Sequence, residues 1–534
     1  MDCDPNRRWW AALIPLLLLA AVLRWSGVAW DGGIGAHPDE RYVVGIAEGL
    51  AWPDRLDPFA LAPDYAYGHL PLYLIALLGG QNRLFAARFL AGLFDVGTVA
   101  LAAALGRRVF DRWVGLGAAL FLAVMPLHVQ LAHFATVDPF LAFFATGTLL
   151  FAARFAGNGH RRDALLAGLW AGLALSCKAG AALLAFPLAM ACWAAPPPGR
   201  AARAWTLAGV AVVAFALTSP AALLDAARFV RNVGAQAALL RGAGWVPYTF
   251  QYHGTWPYLY PIAQQLLWGM GPVLGLVCFG GAGWVVWRAA CQPPTPAGWV
   301  VLAWVVPCFA FTAALAVKFP RYLLPLTPLL AVYGAWAVRG LAQRSAWLGR
   351  FAVVLAALPA AALSLALVLS YRVPHPWVAA SEWLRETIPS GAVIAVEAWD
   401  HPLPLDATGY DVLTLPIFEP DTEAKWVVID AALDEADVLV LASRRGYGAL
   451  ADWPEQFPHA GAFYRALLAG ERGFRVVACF GRWPALGPLA FADDPFTAVG
   501  LSRPACPSLP SLWLPRLDES FTVYDHPLVI VLRR

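Results

Sequence analysis

The sequence is poor in charge. Only 14% of its 534 residues are Asp, Glu, Lys or Arg, against 60% hydrophobic. A mean hydropathy of +0.59 excludes an ordinary water-soluble globular chain. The net charge of +3 comes with no basic tract, which excludes nucleic acid as a partner. Zinc-type spacing is also missing: no CxxC and no Cys/His cluster occurs among the eight cysteines. Cys177, Cys192, Cys278 and Cys308 lie in or beside apolar runs, and Cys291 lies in a short loop. Cys479 and Cys506 fall in a polar tail, where the sequence leaves their pairing open. There is no repeat, and the single low-complexity tract is the short Pro196-Pro197-Pro198. The first apolar run, Trp9–Leu23, has no cleavage site after it. Arg24-Trp25 stands where small residues would be needed, so the run reads as an uncleaved helix.

What is present is a series of apolar stretches long enough to cross a hydrocarbon core. About eleven can be drawn, over 9–30, 86–107, 113–133, 136–156, 163–179, 180–195, 204–224, 262–288, 298–317, 321–340 and 350–371. Basic residues fall on alternate connections: Arg7-Arg8, Arg107-Arg108-Arg112, Arg161-Arg162, Arg200 with Arg203, Arg288, then Arg339, Arg344 and Arg350. This predicts a multi-pass protein of the cell membrane with a cytoplasmic N-terminus. The expected fold is a polytopic α-helical membrane domain over 1–371, with a long first outer loop at 31–85, and an extracytoplasmic α/β domain over 372–534. In the first outer loop, Glu40–Leu50 and Leu70–Leu78 read as short helices lying along the interface. In the tail, Val393–Val396, Trp426–Ile429, Val438–Leu441, Arg475–Phe480 and Leu528–Leu532 read as strands. Trp377–Thr387 and Ala460–Leu468 read as helices.

The outer loops also collect the unusual residues. His37-Pro38-Asp39-Glu40-Arg41-Tyr42 sets two adjacent carboxylates where the first span surfaces. Arg88 opens the second span, in Arg88-Phe-Leu-Ala-Gly-Leu-Phe-Asp95. Asp138 ends His133-Phe-Ala-Thr-Val-Asp138, Lys178 ends Gly172-Leu-Ala-Leu-Ser-Cys-Lys178, and Lys318-Phe-Pro-Arg321-Tyr322 joins two late spans. Each has a bland reading. Asp39 and Glu40 could be a solvated pair, Arg88, Lys178 and Arg321 could snorkel to the interface, and His133 could be a satisfied interhelical histidine. Asp95 is expected to face a polar partner within the bundle. Charge at membrane depth is nevertheless functional by default. Carboxylates among cations on one face suit an anionic, phosphate-bearing ligand beside an acceptor to be deprotonated. Tyr252 and His253 lie in an aromatic outer loop, and the Glu397-Ala-Trp-Asp400-His401-Pro402 stretch follows a predicted strand, where sites often form.

These motifs, over residues 9–371, resemble the GT-C superfamily of polyprenyl-phosphate-sugar-dependent glycosyltransferases. More narrowly they resemble glycosyltransferase family 39, the protein O-mannosyltransferases and the aminoarabinose transferases that modify lipid A. Asp39-Glu40-Arg41-Tyr42 with Glu48-Gly-Leu50 is similar to that family's first-loop acidic motif. Arg88 is similar to its donor-phosphate arginine, and His133–Asp138 to its second acidic motif. Lys178 is similar to its membrane-edge lysine, and Arg321-Tyr322-Leu-Leu-Pro325-Leu-Thr-Pro328 to a late-span motif. The tail has no close counterpart, although its C-terminal position matches the aminoarabinose type.

The resemblance implies transfer of a sugar from a polyprenyl-phosphate donor to an acceptor hydroxyl at the outer membrane face. It assigns catalysis to Asp39, as general base, with Glu40 and Asp138 orienting the acceptor or a divalent ion. Arg88, Lys178, Arg321 and Lys318 would bind the donor phosphate, and Tyr42, His133, Tyr252 and His253 would contact acceptor or substrate. No cofactor is certain, a divalent metal is an open requirement, and the acceptor is a lipid, a glycan or a protein. A lipid or lipid-linked-sugar transporter would also carry intramembrane charge. Such proteins commonly show inverted repeats, and here no repeat is found.

Overall fold

A computed structural model of the protein describes residues 5–78, 80–197, 199–504, 506 and 512–534. Two units emerge. The first comprises Met1–Val28, Pro38–Ala243 and Trp256–Ser364, and the second Ala29–His37, Gly244–Thr255 and Leu365–Arg534.

The first unit is a bundle of helices. Among the described residues, seven helices are long and apolar enough to cross a membrane, from Arg7–Trp25 to Ala346–Ser370. An eighth crossing counts if Arg112–Ala123 and Pro126–Ala132, bent by 60°, are one broken span. The expected eleven is therefore not reached, although every one of those stretches is largely helical. Three fall short for plain reasons. Arg161–Leu175 has only 15 residues, and Ala179–Ala194 is a short apolar helix that opens as a 3₁₀ turn. Thr327–Arg344 carries two arginines in 18 residues. The two interfacial helices form, as Pro38–Gly49 and Leu70–Leu78.

The break at Pro126 shows how such a bundle tolerates an interrupted helix. Proline has no N–H to return to the preceding turn, and hydrocarbon cannot satisfy the freed carbonyls. Arg24, fully buried, does so: Nη1 donates to the Ala123 carbonyl at 2.8 Å and Nη2 to that of Leu122 at 3.1 Å. Its charge is balanced by Asp95, 2.5 Å from Nε. The other Asp95 oxygen lies 2.6 Å from His128 Nδ1, and His128 Nε2 lies 2.6 Å from Thr327 Oγ1. Asp95 thus has the intrabundle partners its position called for. Elsewhere, Gly168 and Gly172 let two helices meet at backbone distance. A Cβ on either would come within 2.3 Å of the Leu207 or Ala211 carbonyl oxygen, the small-residue contact common between membrane helices.

The second unit is built on a five-stranded sheet. Its strands are β1 (Val393–Glu397), β2 (Asp411–Leu415), β3 (Val438–Leu441), β4 (Arg475–Phe480) and, last in the chain, β8 (Val529–Arg533). The order is β2-β1-β3-β8-β4. The first three run parallel, and β8 is antiparallel to both of its neighbours. A small second sheet pairs β5 (Ala485–Leu486), β6 (Leu489–Asp493) and β7 (Leu512–Leu514). One strand expectation fails. Trp426–Ile429 lies inside the helix Glu423–Glu435, whose N-cap Thr422 accepts from the Lys425 N–H. A four-residue apolar run fits either periodicity, and the cap decides it. The Cys479 and Cys506 thiols are joined in a disulfide.

At the end of β1, Glu397 is buried and accepts a hydrogen bond from the Tyr464 hydroxyl. Burial pushes its carboxyl up to about 8. Two outcomes follow. Replacing both Cys479 and Cys506 by Ser should cost the second unit about 3 kcal/mol, because the bridge restricts the unfolded chain over 27 residues. Thermal unfolding of the detergent-solubilised protein reads this. The folded state also keeps a proton on Glu397 that the unfolded chain releases near its ordinary 4.5. Stability of this unit should fall as pH rises from about 4.5 to about 8, and Glu397→Gln should flatten that interval.

Candidate active site

Pro38 starts the helix Pro38–Gly49, placing Asp39 and Glu40 in its first turn. Neighbouring positions on a helix point about 100° apart, so the pair divides. Glu40 turns inward and is fully buried. It accepts from Arg88 twice, at 2.8 and 2.6 Å, and from the Ala135 N–H at 2.9 Å. Arg88 is equally buried, and its Nη1 donates to the Val28 carbonyl at 2.9 Å. Asp39 turns outward, with 31% of its side chain exposed, and pairs with Arg321 Nη1 at 2.6 Å.

From Asp39 the charges alternate. Arg321 Nε is 4.0 Å from Asp138 Oδ2, and Lys178 Nζ is 2.9 Å from Asp138 Oδ1. Local structure sets each position. Pro139 begins the helix Asp138–Asn158 and holds Asp138 in its first turn. Lys178 is extended just past the helix Arg161–Leu175. Arg321 sits in the 3₁₀ turn Pro320–Leu323. The Lys178 ammonium also lies over the rings of Tyr322 and Tyr67, at 4.8 and 5.5 Å. Beside this run is a cavity of about 350 Å³, lined by Asp138, Lys178, Tyr67 and Tyr322 and then by apolar residues including Trp304 and Leu240.

The structure brings Asp39, Asp138, Lys178 and Arg321 together and places the other motif residues elsewhere. Arg88 and Glu40 form a fully buried ion pair. His133 has a carbonyl at each ring nitrogen, Val129 at 2.7 Å and Ser26 at 2.9 Å, the arrangement of an interhelical histidine. Tyr42 donates to Asp64 at 3.1 Å. Lys318 is buried and donates to the Ala316 carbonyl at 2.9 Å. Tyr252 and His253 belong to the second unit. There Tyr252 is buried and His253 stacks on Trp453, with ring centroids 3.8 Å apart. Among the described residues, no three His, Cys, Asp or Glu side chains gather to hold a metal ion. Asp39 pairs with Arg321, and Asp138 with Lys178. Tyr67 and Trp304 escaped the sequence reading, since nothing in their spacing separates them from the many other aromatics.

Residues 70–223 match the model of the family described as dolichyl-phosphate-mannose-protein mannosyltransferase. No curated protein matches the sequence. Among solved structures, the chain is similar to the oligosaccharyltransferase AglB from Archaeoglobus fulgidus, in complex with an inhibitory peptide and a dolichol-phosphate. That match has 16% identity and a TM-score of 0.56, covering 86% of this chain and 73% of that one. The apo form of the A. fulgidus enzyme matches at 16% identity and TM-score 0.56, with 85% and 72% covered. ArnT from Cupriavidus metallidurans, bound to undecaprenyl phosphate, matches at 16% identity and TM-score 0.49, with 83% and 94% covered. The chain thus shares the overall fold of the A. fulgidus oligosaccharyltransferase.

The Arg88–Glu40 pair gives a direct test of its role. Arg88→Met removes the counter-ion of the buried Glu40 carboxylate and should cost about 3–5 kcal/mol. Arg88→Met with Glu40→Gln should recover much of that loss, read by thermal unfolding in one detergent.

Proposed function

We propose that this GT-C-fold protein transfers a sugar from a polyprenyl-phosphate donor to an acceptor hydroxyl at the extracytoplasmic membrane face. The observation that carries the reading is the run Asp39, Arg321, Asp138, Lys178 beside a largely apolar cavity. A lipid phosphate is an anion on a long apolar tail, and this arrangement offers cations at one edge and apolar wall beyond. The family match over 70–223 supports the same donor class, as does the dolichol-phosphate in the A. fulgidus complex.

In this reading the donor phosphate takes Lys178 and Arg321 as counter-ions, in place of Asp138 and Asp39. Asp39, the more exposed carboxylate, then receives the proton of the acceptor O–H as its oxygen attacks the anomeric carbon. The bond from that carbon to the phosphate oxygen breaks in line, so the configuration inverts, and the polyprenyl phosphate leaves with the electron pair. Lys178 and Arg321 stabilise the charge that develops on it, the largest expected contribution. Before the donor binds, Asp138 holds the two cations in place. Glu40 and Arg88 hold the helix Pro38–Gly49 in place, so that Asp39 is positioned before the acceptor arrives.

The test is turnover of a radiolabelled polyprenyl-phosphate sugar by purified protein in native lipid extract. Asp39→Asn should lower kcat about 10²- to 10⁴-fold, the usual worth of a general base. Lys178→Met should lower kcat/KM by at least tenfold. The labelled product identifies the acceptor as lipid, glycan or protein. Wild-type rates from Asp39→Asn would remove Asp39 as the base. A donor that binds tightly and is never cleaved would favour a lipid transporter.

A further inference from the structure

The end of the bundle away from Asp39 carries a second charged chamber. The helix Thr327–Arg344 starts just after Arg321 and runs 18 residues to Arg344, about 27 Å, close to the thickness of a hydrocarbon core. At that far end, a cavity of about 580 Å³ is lined by Asp111, Trp284, Arg288, Trp336, Arg339 and Arg344, with small and apolar residues between. Three guanidinium groups face one carboxylate. Arg339 Nε meets Asp111 Oδ2 at 3.1 Å. The Arg288 guanidinium lies 5.7 Å above the Trp336 ring. Among the described residues, neither Arg288 nor Arg344 has a carboxylate within ion-pair distance.

The chamber does not end there. A space of about 270 Å³ shares the walls Phe110, Arg288 and Trp336 with it. Ala289 and Leu302 carry that space into a trough of about 880 Å³. The trough has no charged residue in its lining, which includes Phe186, Met190, Trp193, Val286, Trp299 and Val306. Several of these are well exposed on the bundle surface, Trp193 at 66% and Val306 at 49%, so the trough opens toward lipid. A cationic chamber running into an open apolar trough has the two-part character of a phospholipid.

We propose that this is a binding site for one anionic phospholipid of the membrane leaflet opposite the Asp39 end. Its phosphate sits between Arg288 and Arg344, and its acyl chains lie along Trp193, Val286 and Val306. Basic pockets between membrane helices recognise anionic headgroups in this way, and Arg suits the phosphate through paired N–H donors. A soluble phosphate ester would meet the same cations but leave the trough empty. The site is independent of the sugar-transfer reading, because none of its residues belongs to the Asp39 cluster.

The experiment is native mass spectrometry of the full chain, titrated in detergent with phosphatidylglycerol, phosphatidylcholine or glycerol 3-phosphate. One phosphatidylglycerol should bind at least tenfold more tightly than phosphatidylcholine. Arg288→Gln with Arg344→Gln should remove that preference. The charge-keeping pair Arg288→Lys with Arg344→Lys should keep most of it, which separates a lost site from a misfolded protein. Equal binding of the two lipids, or an unchanged preference in the glutamine variant, would overturn the proposal. Glycerol 3-phosphate binding as tightly as phosphatidylglycerol would overturn its lipid part.

Discussion

Ionised groups inside an apolar bundle persist only when each has a partner, and this requirement organises the first unit. Arg24, Asp95, His128 and Thr327 form one continuous polar path through it. That path joins the first helix, the second span, the piece after the Pro126 break and the start of a late helix. Arg88 and Glu40 form another, tying the second span to the first loop. Losing one member would strand a charge in a medium that cannot solvate it, which is why such pairs fix geometry even where they add little net stability. Specific charge contacts therefore tie these particular helices together.

The same rule divides the two adjacent carboxylates. Glu40 is used up by Arg88, while Asp39 is left at the surface with a partner, Arg321, that is itself shared with Asp138. A fully buried, saturated pair is rigid. A partly exposed pair, with its cation divided between two acids, can exchange one anion for another. Placing both in one helical turn couples the position of Asp39 to the anchor beside it.

The second unit solves a different problem. Its apolar strands gather into a mixed sheet, and a disulfide ties β4 to the segment near Cys506. The Glu397–Ser443 region lies where β1 has a parallel strand on either side, a switch point at which open α/β sheets often bind ligands. Here its groups are turned on one another: Tyr464 donates to Glu397 and Ser443 to Asp400.

How much of this was legible in the sequence differs from residue to residue. Composition and long apolar runs determined a multi-pass helical protein, because in hydrocarbon the backbone has few ways to satisfy its own hydrogen bonds. The acids and bases at span ends marked one face as the candidate site, since charge there is costly and therefore conspicuous. The sequence did not say which carboxylate of the Asp39-Glu40 pair is buried and which stays partly exposed, because that depends on Arg88 arriving from another helix. Nor did it separate Tyr67 and Trp304 from the other aromatics, or show that Arg24 would repair the break at Pro126. It drew Trp426–Ile429 as a strand, because four apolar residues carry no period of their own. Local pattern and solvent preference settled which segments are helices and which end of the bundle carries charge. Tertiary contact alone decided which charges meet, because a partner 48 or 71 residues away leaves no mark in the spacing of either residue.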